Sequence, residues 1–282
     1  MFSEKYGYKE EKQILHETIS DTLRQRIWNL FYMQDIQKGG LKSPRLTQAL
    51  NGEPSIEAFI ADKLGFSISS LANGQTILKK LEEHLLNFAS WYDVYDFIEF
   101  HISLLEGEIR VRRIQQYNTL LEEEKSGYRV VNGEIAPITI KGEIEAIAQA
   151  SNTEFTPVNE HMKKALSLYA DIKSPDYENS IKESISAVEA MCCIITGMDG
   201  RDATLGNAIT KLQEKGVIIH QFMIDAYKKL YNYTSNETGI RHGGIEFNNA
   251  PAEDAKYMLV SCSAFVNYLI EKWSKVNEEL EV

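Results

Sequence analysis

The chain has 282 residues, 43% of them hydrophobic and 25% charged, with a formal net charge of −11. That balance describes a folded protein with one or two cores of ordinary size rather than a disordered chain. Both halves are acidic, which excludes a general nucleic-acid coat and a polybasic membrane anchor; a nucleic acid could be held only locally, by a few Arg or Lys residues.

Six prolines and an abundance of Glu, Lys, Leu, Ala and Ile favour helix. The first predicted helix covers 10–35, with Ile14, Leu23, Ile27, Leu30 and Phe31 on its apolar side, and Gly39-Gly40 as a stop. A short helix over 55–64 ends at Gly65, and a long one covers 75–105 with a band of Phe88, Trp91, Tyr92, Tyr95, Phe97 and Phe100. Such a band reads as a helix-packing core. Arg110, Arg112 and Arg113 lie in a helix over 108–124 and read as a solvated charged face among flanking glutamates. The stretch 128–138 has β-branched residues around Asn132-Gly133, a strong hairpin signal, and reads as a clasp between two halves. A connecting helix over 143–150 follows, and Ser151-Asn152-Thr153 marks the expected domain boundary, giving 1–150 and 151–282.

The second half reads as a bundle of amphipathic helices. Thr156-Pro157 opens a helix to 172, and Ser174-Pro175 opens the next, 176–196, closed by Gly197. Its stripe is Ile181, Ile185, Val188, Cys192 and Ile195, with Glu189 at the edge. Thr204 caps a helix carrying Leu205, Ile209 and Leu212, and helices over 222–233 and 251–276 complete the set. The expected architecture is mainly α, two helical domains with a small hairpin between them. Cys192, Cys193 and Cys262 read as free thiols, and ligand pairs at zinc spacing are missing, so neither metal nor cofactor is expected. No run approaches the ~18 apolar residues of a membrane span and the N-terminal stretch has no leader-like core, so the expected location is cytoplasmic.

The candidate site lies at 230–246, LYNYTSNETGIRHGGIE. Arg241 can fork onto phosphate oxygens, His242 can move a proton near neutrality, and Gly243-Gly244 lets the backbone approach closely. The alternative is a helix-terminal Arg followed by a glycine cap.

The strings FSEKYGYK, SGYRVVNGEIAPI, DYENSIKESISAVEAM, ATLGNAITKL, KLYNYTSNETGIRHG and CSAFVNYLIEKW resemble AbiJ-related abortive-infection proteins of bacteria. The resemblance implies an AbiJ-type helical N-terminal domain and a C-terminal bundle related to HEPN and Abi-C modules. Active HEPN proteins are metal-independent endoribonucleases that use an Arg and a His four to six residues further along. Arg241 is instead followed directly by His242, and no arginine of the chain has a His at the family spacing. Three readings are open. One is an RNA-cleaving antiphage effector, with Arg241 on phosphate, His242 as acid or base, and Glu189 or Asn236 orienting the imidazole. The second is a non-catalytic module binding RNA, a nucleotide or a protein partner through Arg241, Gly243 and Gly244. In the third, Arg241 bridges to a carboxylate such as Glu183 or Glu189. The resemblance also implies a homodimer through the C-terminal bundle and a phage-derived or toxin–antitoxin-type protein partner, with no membrane involvement.

Overall fold

The computed structural model describes residues 16–37, 74–171, 173–198, 205–235 and 250–280. The chain divides into two compact units at Thr139 and Ile140. Helix is the dominant element, and the described strands form one two-stranded antiparallel sheet.

The first unit begins with α1 (Asp21–Phe31), which the Ser20 side chain caps by accepting from the Leu23 N–H. Residues 16–20 are not helical and Glu17 has a positive φ, so the long helix expected from residue 10 starts instead at this cap; residues 1–15 lie outside the described set. A π-helical turn, Tyr32–Gln37, continues α1. The expected short helix over 55–64 also lies outside the described residues. The single helix expected over 75–105 is two, α2 (Gly74–Asn87) and α3 (Trp91–Ser103). Apolar periodicity runs straight through the break, but Ser90 and Asp93 form a capping box that restarts the helix, with the Ser90 N–H donating to Asp93 Oδ2 at 2.8 Å.

Helix α4 (Gly107–Glu123) leads into β1 (Arg129–Val131) and β2 (Glu134–Ala136). The hairpin pairs Arg129 with Ala136, Val130 with Ile135 and Val131 with Glu134. Asn132 and Gly133 have φ of 51° and 101°, the left-handed pair that a two-residue hairpin turn needs. The hairpin packs on α3 and α4 within its own unit. Asn118 of α4 accepts from the Val130 N–H and donates to the Val130 carbonyl, which fixes the register from outside the sheet. The core gathers Leu23, Ile27, Phe31, Phe97, Ile98, Tyr117 and Val130, with Phe31 edge-on to Phe97 at 5.2 Å between centroids. The aromatic band is therefore divided: Phe97 and Tyr95 are core, whereas Phe88 is 70% exposed.

Beneath the turn, Glu99 accepts from the Ile135 N–H, and Glu134 stands in its field. Burial, then the neighbouring Glu99, push the Glu134 carboxyl up to about 7. A carboxyl raised on folding adds stability below its unfolded value near 4.5 and loses it as pH rises through about 7. Glu134→Gln should therefore flatten that slope. Partial solvent access screens the effect, so the variant should gain about 1–2 kcal/mol on wild type between pH 5 and pH 8 in urea titrations. Parallel pH curves for the two proteins would refute it.

The second unit starts with α5 (Lys141–Ala150), which packs on the last helix. Next comes α6 (Thr156–Ala170), with Phe155 rather than Thr156 as N-cap, while Thr153 and Asn159 bond each other across the entry. Helix α7 (Tyr177–Thr196) is capped by Asp176, which accepts from the Asn179 N–H, and ends at the left-handed Gly197. Short α8 (Leu205–Lys211) runs into a 3-10 turn ending at Gly216; the proposed cap Thr204 lies outside the described residues. Helices α9 (Gln221–Ser235) and α10 (Ala252–Leu280) complete the unit. The stripe predicted on α7 is buried throughout, against α6 on one side and α10 on the other. Despite its length, α10 is too polar to span a bilayer, and no described helix is long and apolar enough to do so.

Candidate functional site

Asn236, Arg241, His242, Gly243 and Gly244 lie outside the described residues, in the segment 236–249. Both of its flanks are defined. Tyr233, in the last turn of α9, donates from Oη to Asp254 Oδ2 in the first turn of α10 at 2.6 Å. Burial, then Asp254, push the Tyr233 phenol up to about 12, so it remains a donor at neutral pH. Further from the loop, Tyr227 of α9 stacks on Phe265 of α10, which stacks on Tyr268. Ala250, just before α10, is buried. The two helices are thus antiparallel, the end of α9 meeting the start of α10.

That end of α10 is acidic. Glu253 acts on Tyr169 of α6, which lies 5.9 Å from Tyr177 of α7 between ring centroids. Burial first, then Tyr177, Glu143 and Glu253, hold the Tyr169 phenol at about 12. Lys256 pairs with Glu143 at 2.8 Å. At the start of α10, Glu143 pairs with Lys256, Asp254 accepts from Tyr233, and Glu253 acts on Tyr169.

Glu189 is carried by α7. It lies about 18 Å of helix rise beyond Tyr177 along α7. One turn further on, burial, then Glu189, push Cys193 up, and Glu189 adds to the effect of burial and of Cys193 on Cys192. Cys192 and Cys262 are buried, all three cysteines are free, and burial raises Cys262 to about 12, so these thiols are poor nucleophiles. Glu183 binds His161 and Lys164. Among the described residues no group of three or more His, Cys, Asp or Glu side chains is arranged to hold a metal.

The first unit holds a buried polar chain that the sequence did not reveal. Arg113, expected on a solvated face, is 5% exposed and donates to Asp35 Oδ1 of the π-helical turn at 2.8 Å. Asp35 Oδ2 is 3.2 Å from His101 Nε2, near enough for attraction but not aligned as a hydrogen bond. On the other side of the ring, His101 Nδ1 meets Tyr117 Oη at 2.7 Å. Burial pushes the imidazole below its ordinary value, with Asp35 opposing and Arg113 reinforcing. A neutral ring bridging a phenol and an ion pair is the consistent protonation state. Of the other two arginines, Arg112 is exposed, and Arg110 donates to the Asn132 carbonyl across the hairpin turn. Since Asp35 and Arg113 are 78 residues apart, no local pattern announces their pairing.

Comparison with known families matches the AbiJ N-terminal domain 4 family over residues 1–153. No curated protein and no solved structure matches the chain.

Proposed function

The chain belongs to the AbiJ N-terminal domain 4 family, an AbiJ-related abortive-infection group, and from that premise we propose that it is an antiphage effector acting on RNA. The observation that carries the defence role is the family match across more than half of the chain. The RNA-cleaving role draws on Arg241 and His242, adjacent in sequence between α9 and α10, helices that Tyr233 and Asp254 join. In this reading the C-terminal unit is a HEPN-like bundle with a rearranged motif. Arg241 neutralises the scissile phosphate and His242 takes the 2′-hydroxyl proton as that oxygen bonds phosphorus. The P–O5′ bond breaks, the leaving oxygen takes a proton from water, and a cyclic phosphate remains. A homodimer through the C-terminal bundle would bring two such loops to one cleft.

A second reading has support of its own. The carboxylates at the loop's re-entry point oppose a polyanion, which favours a module that binds one anionic group or a protein partner without cleaving RNA.

The test is cleavage of a short RNA by the purified chain in excess EDTA, together with RNA integrity in cells challenged by phage. Cyclic-phosphate ends produced in EDTA are the expected result. Intact RNA in both assays, under conditions where the protein still protects cells, would leave the binding module as the function.

A further inference from the structure

We propose that His161, Lys164 and Glu183 form a phosphate-contacting site on the α6–α7 face, suited to a nucleic-acid backbone. Only the identity of that ligand rests on the RNA reading above.

His161 and Lys164 are three residues apart on α6 and so share a face. Both reach across to Glu183 of α7: His161 Nδ1 is 2.6 Å from Oε2, and Lys164 Nζ is 2.5 Å from Oε1. The carboxylate is set back, 15% exposed, while the imidazole and the ammonium in front of it are 40% and 63% exposed. Burial works against the Glu183 charge, but the hydrogen bonds from Lys164 and His161 outweigh it and hold its carboxyl below the usual range. Glu183 therefore fixes the ring through Nδ1–H and leaves Nε2 uncommitted among the described residues. Nε2 is therefore the ring atom left to meet a ligand. Lys164 supplies a largely exposed cation one turn away.

Packing alone does not call for this cluster. The α6–α7 interface is already filled by Met162, Ala165, Leu166, Ile181 and Ile185, and Ser180 Oγ donates to the Ala165 carbonyl at 2.8 Å. Partly exposed ion pairs add little to an interface of that kind. The cluster differs from the surroundings of His101 and His220. His101 is buried, and exposed His220 lies over Phe222 and accepts from the Phe222 N–H.

The experiment is histidine-ring NMR on the full chain, titrated with a 2′-O-methyl oligoribonucleotide that cannot be cleaved at its 2′ position. A saturable shift of the His161 signals, larger than that of His220, is expected, and Lys164→Ala should weaken apparent affinity about 3–10-fold with the thermal midpoint unchanged. A silent His161, a shift no larger than that of His220, or unaltered affinity in Lys164→Ala would overturn the proposal, whether or not unmodified RNA is cut. Binding at His161 without any cleavage of unmodified RNA would instead overturn the nuclease reading and leave this site standing.

Discussion

Replacing Asp35 with Ala should cost the first unit about 3–5 kcal/mol, because it strands the Arg113 cation in the core. Arg113 Nε and Nη1 already lack partners among the described residues, so its charge is balanced there through Nη2 and Asp35 Oδ1. Asp35 also sits in the π-helical turn that prolongs α1, so losing it frees that turn from α4. Arg113→Met should cost a similar amount by leaving the carboxylate buried and unpaired. The double variant Asp35→Leu/Arg113→Met should lose much less than the two single losses together, since removing both charges removes the burden of desolvation. Urea unfolding followed by tryptophan fluorescence can read this, because Trp28 packs against Phe31 beside the chain, 5.6 Å between centroids. Additive losses would mean that the pair is not coupled. The pH dependence has a definite sign. Burial depresses His101, so its contribution is present above the unfolded histidine value of about 6.5 and is lost as pH falls through the folded value. Acid should loosen the first unit, and Tyr117→Phe, which removes the phenol on Nδ1, should change where that loosening begins.

The second large effect concerns the loop. If His242 moves a proton in the reaction, His242→Ala should lower the RNA-cleavage rate about 10²–10⁴-fold with modest change in RNA affinity. Arg241→Ala should lower it about 10²–10³-fold, and Arg241→Lys should recover only part, because an ammonium lacks the guanidinium fork. Single-turnover cleavage in EDTA separates rate from binding. A binding module behaves differently: Arg241→Ala weakens RNA or partner binding, while His242→Ala leaves it nearly unchanged and neither variant has a cleavage rate to lose. Cleavage that survives intact in His242→Ala would remove that residue from the chemistry. Tyr233→Phe is a useful companion, since it breaks the fastening to Asp254 but leaves Arg241 and His242 in place.

Helical class and the hairpin were legible because each rests on short-range physics. Asn132-Gly133 supplies two adjacent left-handed residues at low steric cost, and the stripe from Ile181 to Ile195 repeats at the helical period. The break between α2 and α3 was also written locally, in Ser90 and Asp93, but the unbroken apolar period over 75–105 concealed it. The loop residues Arg241 and His242 were legible as chemistry and not as geometry: residue types state what a side chain can do, while joint action requires positions that only long-range packing supplies.

The sequence by itself determined a mainly helical chain with a tight hairpin, free cysteines and an Arg-His-Gly-Gly segment between two helices, all properties of neighbours along the chain. Tertiary structure alone decided that Arg113 is buried on Asp35 and that Glu183 holds His161 and Lys164. These pairings join residues brought together when apolar helix faces seek one another. Burial then removes the water that would otherwise solvate each charge, which makes the partner's identity decisive.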